Sequence, residues 1–296
     1  MNLKDLDLEL LRLRYAGYST KKIYALLIRY PDYFEGKPHE KMTKLRQFSQ
    51  NTTSKPMHRH YQTYCATDSL TIYQSLDDQN IHLLSIFHPD YPHLLKHIYA
   101  PPLLLFYKGN LSCLKAQHYL SIVGSREATR YTQNALELLL KDEVTHDLVI
   151  VSGVAKGGDA FAHEAALHYN MATIGVLAFG HHHHYPKETR ALRTRIEQTG
   201  LTISEYIPTE RPARYKFPER NRIISGLSQG VLITESRERS GAQITIDSAL
   251  EQGRNVYVLP GSLFQTLTIG NLKRAQEGAK IVLNAQDILE DYGTLK

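Results

Sequence analysis

The 296-residue sequence has only two cysteines, Cys65 and Cys113, and no Cys-x-x-Cys pair. That leaves no basis for a disulfide framework and fits a reducing cytoplasm. No run approaches the roughly 18 apolar residues of a membrane span. Near Met1 the leucines are interrupted by Lys4, Asp5, Asp7 and Glu9, so a soluble, cytoplasmic protein without a secretory segment is expected. The usual phosphate-loop signatures are missing: no glycine-rich turn ends in Gly-Lys-Ser/Thr, and none has the Gly-x-Gly-x-x-Gly order of dinucleotide sites. Hydride chemistry therefore loses most of its support. No Ser-His-Asp or Cys-His order stands out, and Glu235 and Glu251 have no evident partner for acid–base work. The charge imbalance is small, +5 with an isoelectric point near 9.0, which permits a polyanionic partner without demanding one.

What is present is three glycine-bearing turns, each where a buried strand would hand over to a helix. They read Ile122-Val123-Gly124-Ser125-Arg126, Ile150-Val151-Ser152-Gly153-Val154-Ala155-Lys156-Gly157-Gly158-Asp159 and Leu259-Pro260-Gly261-Ser262. Such turns leave backbone N–H groups at a helix N-terminus, where unpaired donors and the helix dipole attract an anion, phosphate above all. In the first, glycine permits close approach, Ser125 can donate to phosphate and Arg126 can grip it bidentately. Alone, that tripeptide fits an unliganded turn equally well. The second is stronger: Gly153, Gly157 and Gly158 leave the backbone bare, Lys156 supplies charge, and Asp159 can cap the helix that follows.

Basic residues crowd one stretch. Arg190, Arg193 and Arg195 are followed by Arg211, Arg214, Lys216, Arg220 and Arg222, with Phe217 among them. A ring flanked by Arg214, Lys216, Pro218 and Arg220 is expected to stay accessible, and base stacking on such a ring tolerates any sequence. Arg220 and Arg222 flank Asn221 as a helix begins, so that one can face phosphate while the other packs over the sheet. Ser240-Gly241-Ala242 precedes an amphipathic helix and reads as a helix cap, with a second phosphate seat as the alternative. His181–His184 lacks the spacing and partners of a constructed metal site, and neither a metal nor a cofactor is expected.

Residues 1–75 read as a small helical module, in which Leu3, Leu6, Leu10 and Leu13, then Ile23, Leu26 and Leu27, recur at helical spacing. Ser19 or Thr20 can cap the second helix and Pro31 ends it. The segment from Lys37 to Asp68 is polar and poor in periodicity. Residues 76–296 read as alternating strands and helices, with strands expected at Leu103–Tyr107, Leu120–Val123, Leu148–Val151, Thr173–Leu177, Leu201–Ser204, Val231–Thr234 and Asn255–Leu259. Helices are expected at Thr132–Val144, Asp159–Tyr169, Asn221–Leu227, Ala242–Gln252, Leu272–Glu277 and Ala285–Tyr292. This is the pattern of an α/β, Rossmann-like, doubly wound and mostly parallel sheet, whose ligands sit beyond the carboxyl ends of its strands.

Taken together, Tyr107-Lys108-Gly109-Asn110, the Gly124 and Ser152–Asp159 turns, Tyr185-Pro186, Ser204-Glu205-Tyr206, Phe217-Pro218-Glu219-Arg220-Asn221-Arg222-Ile223-Ile224 and Leu259-Pro260-Gly261-Ser262 resemble the DNA-processing protein A family (DprA/Smf) over about residues 83 to 290. The resemblance implies a non-catalytic protein that holds single-stranded DNA, forms a homodimer and helps load the RecA recombinase in natural transformation. It places phosphate contacts on Gly124, Ser125, Arg126, Ser152, Gly153, Lys156, Gly157, Gly158 and the basic residues Arg214, Lys216, Arg220 and Arg222 with Asn221, and base stacking on Phe217. The leading helices resemble the family's sterile-alpha-motif-like or helix-hairpin-helix-like module. Lys156 stands where arginine is usual, Gly158 where isoleucine is usual, and the four histidines replace a more apolar loop. The C-terminal winged helix of some members is not expected. The competing reading is a nucleotide-binding enzyme or sensor on the same scaffold, such as a phosphoribohydrolase, although its Pro-Gly-Gly-x-Gly-Thr signature is missing. Leu263, Phe264, Leu267 and Ile269 are an apolar stretch expected to be buried in the core, with a dimer contact as the alternative.

Overall fold

The computed structural model describes residues 3–50, 55–141, 145 and 147–293, and the chain divides into two compact units, residues 1–91 with 100–106 and residues 92–99 with 107–296. The first unit contains α1 (Leu3–Tyr15), α2 (Thr20–Arg29), α3 (Pro38–Gln50), α4 (Lys55–Ala66), α5 (Ser69–Asp77) and β1 (His82–Ser85), with the start of β2 (Leu104–Gly109) beside β1. Ser19 caps α2 by accepting from the Lys22 N–H at 3.4 Å, and the helix stops ahead of Pro31 as its missing donor requires. The polar segment Lys37–Asp68 folds into α3 and α4. Its helical period escapes detection because polar groups, Lys41, Ser49 and Tyr64, share the buried positions with Leu45, Phe48 and Met57. Tyr64 donates to Glu9 at 2.8 Å, and the Tyr18 hydroxyl lies 2.7 Å from Ser49.

The second unit contains α6 (His93–Lys96), β3 (His118–Val123), α7 (Arg130–Leu140), β4 (Leu148–Ser152), α8 (Gly158–His168), β5 (Thr173–Leu177), α9 (Arg190–Thr199), β6 (Leu201–Ser204), α10 (Lys216–Leu227), β7 (Gly230–Ile233), α11 (Gly241–Glu251), β8 (Asn255–Val258), α12 (Ile269–Gln276), β9 (Lys280–Ile281) and α13 (Gln286–Leu289). Its strands run parallel in the order β6-β5-β4-β3-β7-β8-β9, a Rossmann-like, doubly wound α/β sheet. Strands β4 and β5 are buried at every position, as strands covered on both faces must be. One face packs Leu120, Ile122, Ile150 and Leu232 against Ala162 and Leu136 from the helices.

The chain leaves β3 for β4, β5 and β6 on one side and returns to pair β7 on the other, with Ile122 opposite Leu232. The strand order therefore reverses between β3 and β7, where a crevice opens beyond the carboxyl ends. Helix α10 starts at Lys216 rather than Asn221, because Pro218 in a first turn has no intrahelical N–H to lose. Phe217 thereby belongs to the helix. Strands β1 and β9 are too short for alternation to reveal them. Leu263 and Phe264 are not core residues: they are 76% and 96% exposed, in the loop following β8. Among the described residues no helix is long and apolar enough to cross a membrane.

Candidate nucleic-acid interface

The first two glycine turns form one structure at the carboxyl ends of β3 and β4. The Gly158 N–H donates to the Ser125 carbonyl at 3.0 Å, and the Ser125 N–H donates to the Glu235 carbonyl at 2.6 Å. Gly157 has φ +72 and lies so close to the Ser125 carbonyl that a Cβ would collide with it, while a Cβ on Gly158 would come within 2.7 Å of the Gly124 Cα. Only glycine allows both the left-handed turn and this approach. Glycine at 158 thus seats the turn against its neighbour.

Above this base stands an exposed layer. Arg126 is exposed, and its guanidinium carbon lies 5.4 Å from the centroid of the Phe217 ring. Phe217 is half-buried, its base packed on the cluster of Val154, Leu177, Phe179 and Ile196. Its remaining surface lines a cavity of about 350 Å³ shared with Arg126, Ala155, Lys156 and Tyr185. Tyr185 is 46% exposed, with its ring centroid 5.7 Å from that of Phe217. Lys156 is exposed and paired with Glu188, whose carboxyl is held below its ordinary range by that ammonium. Arg214 is exposed as well. On the other side of Arg126 a second cavity of about 350 Å³ is lined by Gly124, Ser125, Asn221, Arg237 and Gly241; it occupies the β3–β7 crevice.

Beneath lies a buried layer that the sequence does not distinguish from the exposed one. Arg220 is only 4% exposed: its Nη1 donates to the Gly153 carbonyl at 2.7 Å and to the Val176 carbonyl. It is not presented at the surface, and Arg222, whose side chain is 23% exposed, is held by Glu205 with its Nη2 at 2.5 Å. Lys216 is buried against Glu210 at 2.7 Å and stands over the Tyr206 ring, Ser152 donates to the Ile122 carbonyl at 2.6 Å, and Asn221 donates to the Gly241 carbonyl at 3.2 Å. These side chains build the floor of the rim. Asp159 does not cap α8; it accepts from the Ala155 N–H at 3.3 Å and so ties the turn preceding the helix. Burial pushes its carboxyl up, while Arg220 beside it pulls the other way. Burial also drives the His163 imidazole down to about 3, so that it stays neutral, with Nδ1 2.7 Å from Thr173 Oγ1.

Several organising residues are not apparent from sequence. Glu235 is buried and accepts from the Thr129 N–H at 2.6 Å and the Thr132 hydroxyl at 2.8 Å, which pins the loop carrying Arg126. Arg237 pairs with Glu127 at 2.7 Å beside the second cavity. Ser240 does not cap α11 with its side chain; its hydroxyl is 2.6 Å from Ser236 Oγ. The histidine run is anchored, since Arg193 donates to the His183 carbonyl at 2.5 Å and to the His181 carbonyl at 3.0 Å. Among the described residues no three His, Cys, Asp or Glu side chains converge on a metal position. The third glycine turn follows β8 and lines neither cavity.

Comparison with known proteins agrees with this fold. The family described as DNA recombination-mediator protein A matches residues 82–293. The DNA processing protein DprA of Bacillus subtilis is 42% identical over 214 residues, 72% of each chain. The X-ray structure of DNA processing protein A from Streptococcus pneumoniae superposes with a TM-score of 0.84 at 35% identity, covering 96% of this chain and 97% of that one. That of Helicobacter pylori, described for its single-stranded DNA binding mode, gives 0.64 at 27% identity over 71% of this chain and 94% of its own. With its motifs, its doubly wound sheet and its glycine-lined rim accounted for, the chain belongs to the DNA recombination-mediator protein A family, the DprA/Smf DNA processing proteins.

Proposed function

We propose that this protein binds single-stranded DNA across the rim formed by the Gly124 and Gly153 turns, and that it mediates loading of a RecA-type recombinase onto that strand during recombination of DNA taken up into the cytoplasm. The observation that carries the reading is the pairing of Arg126 with the open surface of Phe217, 5.4 Å apart beside a cavity of about 350 Å³. A phosphate grip next to a stacking face suits a strand whose bases are unpaired, because a duplex keeps its bases stacked on each other. The proposed contacts are Gly124, Ser125, Arg126, Gly153, Lys156, Gly157, Arg214 and Phe217. Ser152, Gly158, Lys216, Arg220, Asn221 and Arg222 support them from below. The protein acts by binding rather than by catalysis.

The strand-loading role rests on family membership, as does natural transformation. Homodimerisation has additional support in exposed apolar residues at the β9 side of the sheet: Leu263, Phe264, Ile281 and Leu283 are 76%, 96%, 47% and 65% exposed. A band-shift comparison tests the binding reading: purified protein retards a single-stranded oligonucleotide at lower concentration than the matching duplex, and Arg126→Ala loses that retardation. Equal retardation by Arg126→Ala contradicts the site. Release of free base from a nucleotide would instead favour a hydrolase. Light scattering on Phe264→Glu tests the dimer, with a fall to monomer mass expected.

A further inference from the structure

The second glycine turn contains a residue that should not be comfortable there. Val154 has φ +57, a left-handed conformation that is a genuine outlier for a β-branched side chain and persists only where the surroundings over-determine it. Here they do. The carbonyl of Gly153 accepts from Arg220 Nη1 at 2.7 Å, the carbonyl of Val154 accepts from the Thr189 hydroxyl at 3.0 Å, and the N–H of Ala155 donates to Asp159 Oδ2 at 3.3 Å. Three consecutive residues are thus held by three side chains from different elements, all three buried. A Cβ on Gly153 would lie 2.5 Å from both Arg220 Nη1 and Asp159 Oδ2, so the opposite charges flank this point of the turn. The spacing on α10 links the clamp to the surface: Phe217 and Arg220, three residues apart, share one helix face, ring at the rim and guanidinium below it.

We propose that Arg220, Asp159 and Thr189 are positioning residues: they hold Val154 in its left-handed conformation and thereby aim the amides of Lys156 and Gly157 and the ammonium of Lys156 at a phosphate of the strand. The inference rests on the single-stranded DNA reading for its ligand, and on the turn geometry alone for the clamp.

A double-mutant cycle tests it. Arg220→Lys keeps the charge and loses the fork; Val154→Gly removes the penalty for positive φ. The glycine change also loses the packing of the valine side chain, which the cycle cancels. Arg220→Lys is expected to weaken binding of a single-stranded oligonucleotide by roughly tenfold, with the slope of log affinity against log salt falling only through the displaced Lys156. In the Val154→Gly background the same change is expected to cost roughly threefold or less. Thr189→Val, nearly isosteric, should weaken binding by a smaller factor. Thermal unfolding of the four proteins reads the same coupling without DNA: Arg220→Lys lowers the midpoint less when residue 154 is glycine. Equal penalties in both backgrounds, in unfolding or in binding, overturn the clamp, and a salt slope reduced equally in both backgrounds makes Arg220 a phosphate contact instead. If the parent bound no oligonucleotide, the functional reading would fail while the unfolding cycle still decided the clamp.

Discussion

Arg126 and Arg220 carry the same side chain and both line the second cavity of the rim, yet the protein uses them in opposite ways. Arg126 stands exposed beside the Phe217 ring. Arg220 is enclosed, its Nη1 given to two backbone carbonyls, its Nε to the Asn221 side chain, and its charge balanced by Asp159. An exposed guanidinium loses little hydration until a ligand arrives, so its interaction energy is available for binding. A buried one has already lost its water and repays that loss within the fold, where removal leaves a carboxylate uncompensated. A cluster of basic residues in one segment is therefore two layers, one that meets the partner and one that shapes the surface it meets.

The sharpest way to break this comparison is to remove the buried member. Arg220→Met should lower unfolding free energy by about 3–5 kcal/mol, because Asp159 is left buried without its partner, whereas Arg126→Met should leave it within about 0.5 kcal/mol of the parent; urea denaturation measures both. The next effect belongs to the ring: Phe217→Ala should cost about 1–3 kcal/mol of single-strand affinity while leaving the salt slope intact, since stacking releases no counterions. A smaller effect tests the buried layer through pH. His163 is neutral in the fold, with its pKa lowered from 6.5 to about 3, so the unfolded chain binds the extra proton and stability is lost as pH falls below 6.5. Between pH 7 and 5.5 this group should remove about 1 kcal/mol, and His163→Gln should lose correspondingly less over that interval. The smallest effect is at the surface. Glu188 competes with phosphate for Lys156, and Glu188→Gln should tighten single-strand binding by roughly twofold, as expected for a solvent-exposed pair; fluorescence titration at low salt would reveal it.

The sheet and its glycine turns are legible in the sequence because long apolar strands and strand-to-helix glycines are local signals. Thr173–Leu177 and Leu201–Ser204 emerge with the bounds read from pattern alone. The layering of the rim is not legible, because whether Arg220 faces inward depends on α10 starting at Lys216 and on which carbonyls β4 and β5 bring beneath it. Glu235 shows the same limit: its partners Thr129 and Thr132 lie more than a hundred residues away in sequence. The apolar stretch at Leu263 and Phe264 reads as core by composition, and only the path of the chain beyond β8 places it outside.

The most direct measurement is a salt titration of single-stranded oligonucleotide binding by fluorescence anisotropy, comparing the parent with Arg126→Ala. The account predicts affinity that falls steeply with salt for the parent, and for the variant a weaker affinity with a slope shallower by about 0.7, the value of one lost phosphate contact on a single strand. Identical affinity and slope for the two proteins would contradict it.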